Sequence, residues 1–146
     1  MEQKIYNIMI RLANKAYNNG DIPVGAIVVK EGKIISQAYN KKEYKKNAIN
    51  HAEIIAIDKA CRKLKTWHLE ECEIFVTLEP CLMCIGAISQ ARIGKLTYIL
   101  ENSKFGFTNY INVNENITNH KIEIVKSDYS EELANLMKKF FENKRN

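Results

Sequence analysis

One histidine, one glutamate and two cysteines carry the chemistry this sequence can perform. They stand in two short clusters, His51-Ala52-Glu53 and Pro80-Cys81-Leu82-Met83-Cys84, with about thirty residues between them. One imidazole and two thiolates make three zinc ligands. A structural zinc closes its tetrahedron with a fourth protein ligand, whereas a catalytic zinc keeps that position for water. Cys81 and Cys84 lie three apart, so a helix beginning near Cys81 presents both sulfurs on one face, and its positive end favours thiolates. Residues two apart do not share a helix face. His51 is therefore expected at the mouth of a helix with Glu53 in its first turn, and Glu53 is left out of the ligand set. A carboxylate beside a metal-activated water can move that water's proton. Taken alone, Cys81-x-x-Cys84 would also fit a redox pair or half of a structural zinc site; His-x-Glu at a helix start and the missing fourth ligand favour the catalytic reading.

The elements that must position these groups follow from periodicity. Ile5, Ile8, Met9, Leu12, Ala13 and Ala16 recur at helical spacing, ending near Asn18-Asn19-Gly20. Val24 to Val29 and Ile34 to Tyr39 are rich in β-branched and apolar residues, and Glu31-Gly32 between them predicts a hairpin turn. The His51 helix is expected to run through an apolar stripe of Ile54, Ile57, Cys61 and Leu64. Three further strands are expected at Glu73 to Thr77, Leu96 to Leu100 and Ile122 to Val125, the first two flanking the short Cys81 helix. Ser130 is a candidate N-cap for a last helix with Leu133, Leu136, Met137, Phe140 and Phe141 as its stripe. Strands joined through helices require crossovers, so part of the sheet should be parallel and covered on both faces.

The 146 residues suit one domain, 1–146, and 46% apolar with 27% charged residues describes a soluble globular chain. No run of about eighteen apolar residues occurs, and the first residues, Met1-Glu2-Gln3-Lys4-Ile5, lack a signal peptide's apolar core; a cytoplasmic protein without a membrane partner is expected. Cys61 and Cys72, outside the metal set, read as inert core thiols. A formal net charge of +5 favours an anionic partner. Lysines cluster at Lys41, Lys42, Lys45 and Lys46, before the zinc histidine, and at Lys138, Lys139, Lys144 and Arg145, and both clusters could border one site.

In order and spacing, Pro23-Val24-Gly25-Ala26, Asn40, His51-Ala52-Glu53, Thr77-Leu78-Glu79-Pro80-Cys81, Met83-Cys84, Gly86-Ala87, Arg92-Ile93-Gly94, Lys104 with Gly106, and Asn119-His120 resemble the bacterial tRNA-specific adenosine deaminases of the cytidine deaminase superfamily. The resemblance covers nearly the whole chain. It implies a three-layer α/β/α cytidine deaminase-like fold with a five-stranded mixed sheet, a homodimer, one Zn²⁺ per subunit and no organic cofactor. The implied reaction is hydrolytic conversion of the wobble adenosine of a tRNA anticodon to inosine, Glu53 moving protons to the ring nitrogen and the departing ammonia. Resemblance also implies base or ribose contacts for Asn40, Val24 and the Ala52 N–H, a place near the substrate backbone for Asn102 and Lys104, and Phe140 lining the anticodon groove. The competing readings are a deaminase of a free cytosine, guanine or nucleoside, and a non-catalytic zinc-stabilised RNA-binding module.

Three departures from relatives stand out. Asn47-Ala48-Ile49-Asn50 replaces the usual Asp-Pro-Thr-Ala, and losing the proline is expected to loosen the approach to His51. Asn102 replaces a common Asp, from which weaker discrimination of RNA from DNA is expected, because telling them apart depends on reading the 2′-OH. An Asn102→Asp variant with the same preference as wild type on matched RNA and DNA hairpins would refute that. Phe105, Gly106, Phe107 and Tyr110 form an aromatic loop that could stack on unpaired bases or, the favoured expectation, cover a dimer surface.

Overall fold

A computed structural model describes residues 1–116 and 119–144, so Arg145 of the second lysine cluster lies outside the described residues. The elements run α1 (Gln3–Asn18), β1 (Gly25–Lys30), β2 (Lys33–Tyr39), α2 (Ala52–Leu64), β3 (Cys72–Leu78), α3 (Leu82–Gln90), β4 (Lys95–Leu100), a 3₁₀ turn (Phe107–Asn109), α4 (Val113–Asn116), β5 (Glu123–Lys126) and α5 (Glu131–Lys144). The sheet order is β2-β1-β3-β4-β5, with β1 antiparallel to both neighbours and β3, β4 and β5 mutually parallel. This is the expected mixed five-stranded sheet of a three-layer α/β/α fold.

The β1–β2 hairpin closes where Lys30 pairs with Lys33, with Glu31 at φ 51° and Gly32 at φ 76°. Positive φ at both central residues is the type I′ geometry that matches strand twist. Alternation along the strands divides the apolar residues between two cores. Ala26, Val28, Ile74, Val76, Leu96 and Tyr98 face one side with the buried residues of α2 and α3, while Ile27 and Ile99 face the other with α1 and Leu133 of α5.

Helix α2 departs from the expected stripe. Its fully buried residues are Ala52, Glu53, Ala56 and Ala60, whereas Ile55, Ile57, Cys61 and Leu64 are only partly buried against the core and Ile54 belongs to neither core. Alanines at i, i+4 and i+8 share one face, and their small side chains bring the backbone that carries His51 and Glu53 close to the sheet. Cys72 is buried, Cys61 half-buried, and burial raises both thiols above their ordinary pKa, as befits unreactive sulfurs. Ser130 caps α5 as expected, its Oγ accepting from the Leu133 N–H at 3.2 Å and lying 2.6 Å from the Tyr6 hydroxyl of α1.

Candidate active site

Two helix starts meet at the same end of the sheet. His51 is the N-cap residue of α2 and Cys81 that of α3, both with extended backbone, and neither makes a side-chain cap. Their side chains are thereby left for each other. His51 Nδ1 lies 3.5 Å from Cys84 Sγ and 3.8 Å from Cys81 Sγ. All three ligand atoms lie within 4.8 Å of one another, which suits a single ion held by one nitrogen and two sulfurs.

Charge placement fits a cation. Hydrogen bonding from the Cys84 thiol holds Cys81 down at about 4, and the same bond, with burial, pushes Cys84 well above the ordinary thiol range. A divalent ion between the two sulfurs would replace that hydrogen bond and favour both as thiolates. The hydrogen bond with Cys81 raises the His51 pKa, against burial that lowers it.

Glu53 lies in the first turn of α2 and is almost fully buried, and its Oε1 has no hydrogen-bond partner. Burial pushes its carboxyl up to about 7, against a smaller lowering by its own backbone N–H. Buried oxygens without a partner are uncommon and call for an explanation. The atom adjoins a cavity that Glu53 helps to line.

That cavity has a volume of about 270 Å³ and is lined by Ile22, Val24, Asn40, Lys42, His51, Glu53, Leu78, Glu79, Cys81, Asn102 and Phe105. Val24, Asn40 and Asn102, the expected substrate contacts, all line this cavity. Val24 is set by Thr77, whose Oγ donates to the Pro23 carbonyl at 3.2 Å and accepts the Gly25 N–H at 3.1 Å. Of the first lysine cluster only Lys42 lines the cavity; the ammonium groups of Lys41 and Lys45 lie over the rings of Tyr39 and Tyr44. Lys138 lines a neighbouring groove that shares Leu78 with the cavity.

Three residues expected to contact substrate, Ala52, Phe140 and Lys104, do not line the cavity. The Ala52 N–H donates to Asn40 Oδ1 at 2.7 Å, so it ties Asn40 to the start of α2 where a base contact was expected. Asn40, which lines the cavity, takes part in this bond through its Oδ1 and not its Nδ2. Phe140 is buried (7% exposed), while Phe141 is 46% exposed and lines the groove beside Leu78. One residue along a helix is a rotation of about 100°, and Phe140, seven positions after buried Leu133, falls on the core side. Lys104 is exposed and does not line the cavity; its carbonyl accepts the Tyr110 hydroxyl at 2.7 Å.

Two buried carboxylates have bracing roles that the sequence did not reveal, although Glu79 stands within the Thr77-to-Cys81 motif. Glu79 Oε2 accepts from the Thr108 N–H and Oγ at 2.9 and 2.7 Å, and Oε1 from the Asn102 N–H at 3.3 Å, pinning the loop after β4 to the strand that leads into Cys81. Gly106 passes so close to that carboxylate that a Cβ would collide with it. Asp21 accepts the N–H groups of Glu43 and Tyr44 at 2.9 and 3.3 Å and anchors the segment before His51. That segment, expected to be loosened by the missing proline, is held by these bonds and by the Lys41 N–H on the Asn50 carbonyl. Neither bracing role carried a local signal, because the partners lie 22 to 29 residues away.

The deaminase family described as MafB19-like matches residues 1–145. The chain is 43% identical to a tRNA-specific adenosine deaminase of Aquifex aeolicus over 143 residues, 95% of this chain and 93% of that one. A solved tRNA:A34 deaminase, studied for A-to-I editing at the wobble position of transfer RNA, superposes with a TM-score of 0.77 at 30% identity, over 84% of this chain and 95% of the other. A guanine deaminase of Bacillus subtilis superposes with a TM-score of 0.65 at 29% identity, over all of this chain and 95% of the other.

Proposed function

The chain belongs to the MafB19-like deaminase family, and we infer from that premise and from its site that it hydrolyses the wobble adenosine of a tRNA anticodon to inosine and ammonia. The observation that carries the reading is the buried, unpartnered Glu53 Oε1 beside the His51, Cys81 and Cys84 triangle at one cavity. The similarity to tRNA-specific adenosine deaminases supports the substrate.

We assign His51 Nδ1, Cys81 Sγ and Cys84 Sγ as holders of one Zn²⁺ per subunit. Zinc bound there supplies Lewis acidity that lowers the pKa of a water towards ~7. Glu53 takes the proton of the attacking water and delivers it to adenine N1. As the C6–N bond breaks, Glu53 carries the second water proton to the leaving amine, so water and adenosine become inosine and ammonia. A pKa near neutrality suits a group that must both accept and return a proton. Asn40 Nδ2 donates to the base or its ribose, Val24 packs on the base, and Asn102 and Lys42 approach its backbone.

Three coarser expectations extend this reading. We take residues 1–146 as one deaminase domain working in the cytoplasm; among the described residues no helix is long and apolar enough to cross a membrane. A homodimer is supported by Leu82 and Met83, exposed on α3 beside the ligands.

The likeness to a guanine deaminase favours one second reading, a free-base substrate. Zinc-loaded protein incubated with an anticodon stem-loop carrying wobble adenosine, and separately with adenosine, adenine, cytosine and guanine, separates the two by mass spectrometry of products. Inosine confined to the wobble site is expected, with KM for RNA rising steeply with salt as released counterions compete. Turnover of a free base alone, insensitive to salt, would replace the tRNA reading while keeping the site chemistry.

A further inference from the structure

The loop that follows β4 holds an aromatic ring at the exposed rim of the cavity. Phe105 is 64% exposed, yet it lines the same cavity as Glu53 and Asn40. The aromatic residues of this loop divide by role: Phe107 is buried in the core, whereas Phe105 and Tyr110 remain exposed.

The ring is carried by a braced loop. The Phe105 N–H donates to Asn102 Oδ1 at 3.1 Å and the Gly106 N–H to the Asn102 carbonyl at 2.9 Å. Asn109 Nδ2 bonds the carbonyls of Asn102, Ser103 and Gly106 at 3.1, 3.1 and 3.2 Å. Tyr110 ties down Lys104, and Glu79 fastens both ends from below. A loop backbone held on such a frame gives up little conformational freedom on contact.

Position decides what it contacts. The cavity of about 270 Å³ is of a size to take the flipped target base, and Phe105 stands at its exposed rim, beside the path of the neighbouring nucleotide. An unpaired base has an apolar face whatever its identity, and aromatic side chains are the usual platform for it.

Resting on the RNA reading above, we propose that Phe105 is a stacking platform for the unpaired nucleobase adjacent to the deaminated adenosine, so that the site recognises a two-base unit. Stem-loops with wobble adenosine are compared with stem-loops made abasic at its 5′ or 3′ neighbour, using wild type, Phe105→Ala and Phe105→Trp, each checked for zinc content, melting temperature and sedimentation. On intact RNA, Phe105→Ala should lower kcat/KM about 5- to 150-fold, mainly through KM, and Phe105→Trp should retain it. Removing one of the two neighbouring bases should cost wild type a similar factor and cost Phe105→Ala nothing further.

Full activity of Phe105→Ala, losses that multiply in the abasic cycle, or a Phe105→Ala protein that has changed its oligomeric state would each overturn the proposal, the last by assigning the ring to a subunit interface. Wild type that makes no inosine from the intact stem-loop would overturn the substrate reading and this proposal together; an active wild type with an indifferent Phe105→Ala overturns this proposal alone.

Discussion

Glu53→Gln is expected to lower turnover of a wobble-adenosine stem-loop by about 10²–10⁴-fold, the range general acid–base catalysis contributes, while zinc content and fold are unchanged. Gln copies the shape of the neutral acid but can neither take a proton from water nor return one to N1. The same substitution should stabilise the metal-free protein. The folded carboxyl is raised from 4.5 to about 7, chiefly by burial, so between those values the folded state binds more protons than the unfolded one. Stability referred to this group is therefore full below about pH 4.5 and is lost as pH rises through about 7. The raised interval of about 2.5 units corresponds to about 3 kcal/mol. Chelator-treated Glu53→Gln should therefore match chelator-treated wild type near pH 4.5 and unfold several degrees higher at pH 8. An unchanged turnover would remove Glu53 from the mechanism; an equal melting temperature at pH 8 would mean that its burial carries no charge penalty.

Cys84→Ala is expected to abolish both metal binding and activity. Cys84 is fully buried in the first turn of α3, and its loss leaves one sulfur and one imidazole, too few for a tight site. At free zinc about 1,000 times its Kd, wild type should gain about 4 kcal/mol of stability over its chelated form, or about 10 °C in melting temperature for a chain of this size. For Cys84→Ala that interval should vanish. Elemental analysis together with thermal unfolding, with and without chelator, reads both quantities. Zinc retained at full occupancy in Cys84→Ala would overturn the ligand set.

These two experiments address residues that were visible in the chain before any folding. A ligand set announces itself because its chemistry demands particular residue types, and because His51-x-Glu53 and Cys81-x-x-Cys84 each lie within a single helical turn. Strands and helices were legible for a related reason, since a face buried against a partner imprints its period on the sequence. The strand limits moved by only one residue at most ends.

Faces within an element were less legible. The expected α2 stripe of Ile54, Ile57, Cys61 and Leu64 gave way to Ala52, Ala56 and Ala60, because a helix pressed against a sheet selects for close approach as well as hydrophobicity. Phe140 and Phe141 carry the same side chain one position apart, and only the direction of α5 across the sheet decides which is core and which lines a groove.

By itself, then, the sequence determined which three side chains could hold a metal ion, the role open to Glu53, the element order and the crossovers that a mixed sheet requires. All of these depend on residue type or on spacing within one or two turns. Tertiary structure decided what lies between distant segments. The Ala52 N–H bonds Asn40, Asp21 holds the approach to His51, and Glu79 braces the loop that sets Phe105 at the cavity rim. Each is a hydrogen bond or approach between segments 12 or more residues apart. Such pairings leave no periodic trace, because any carboxylate or amide in the chain could satisfy them until the packing of the elements brings one into reach.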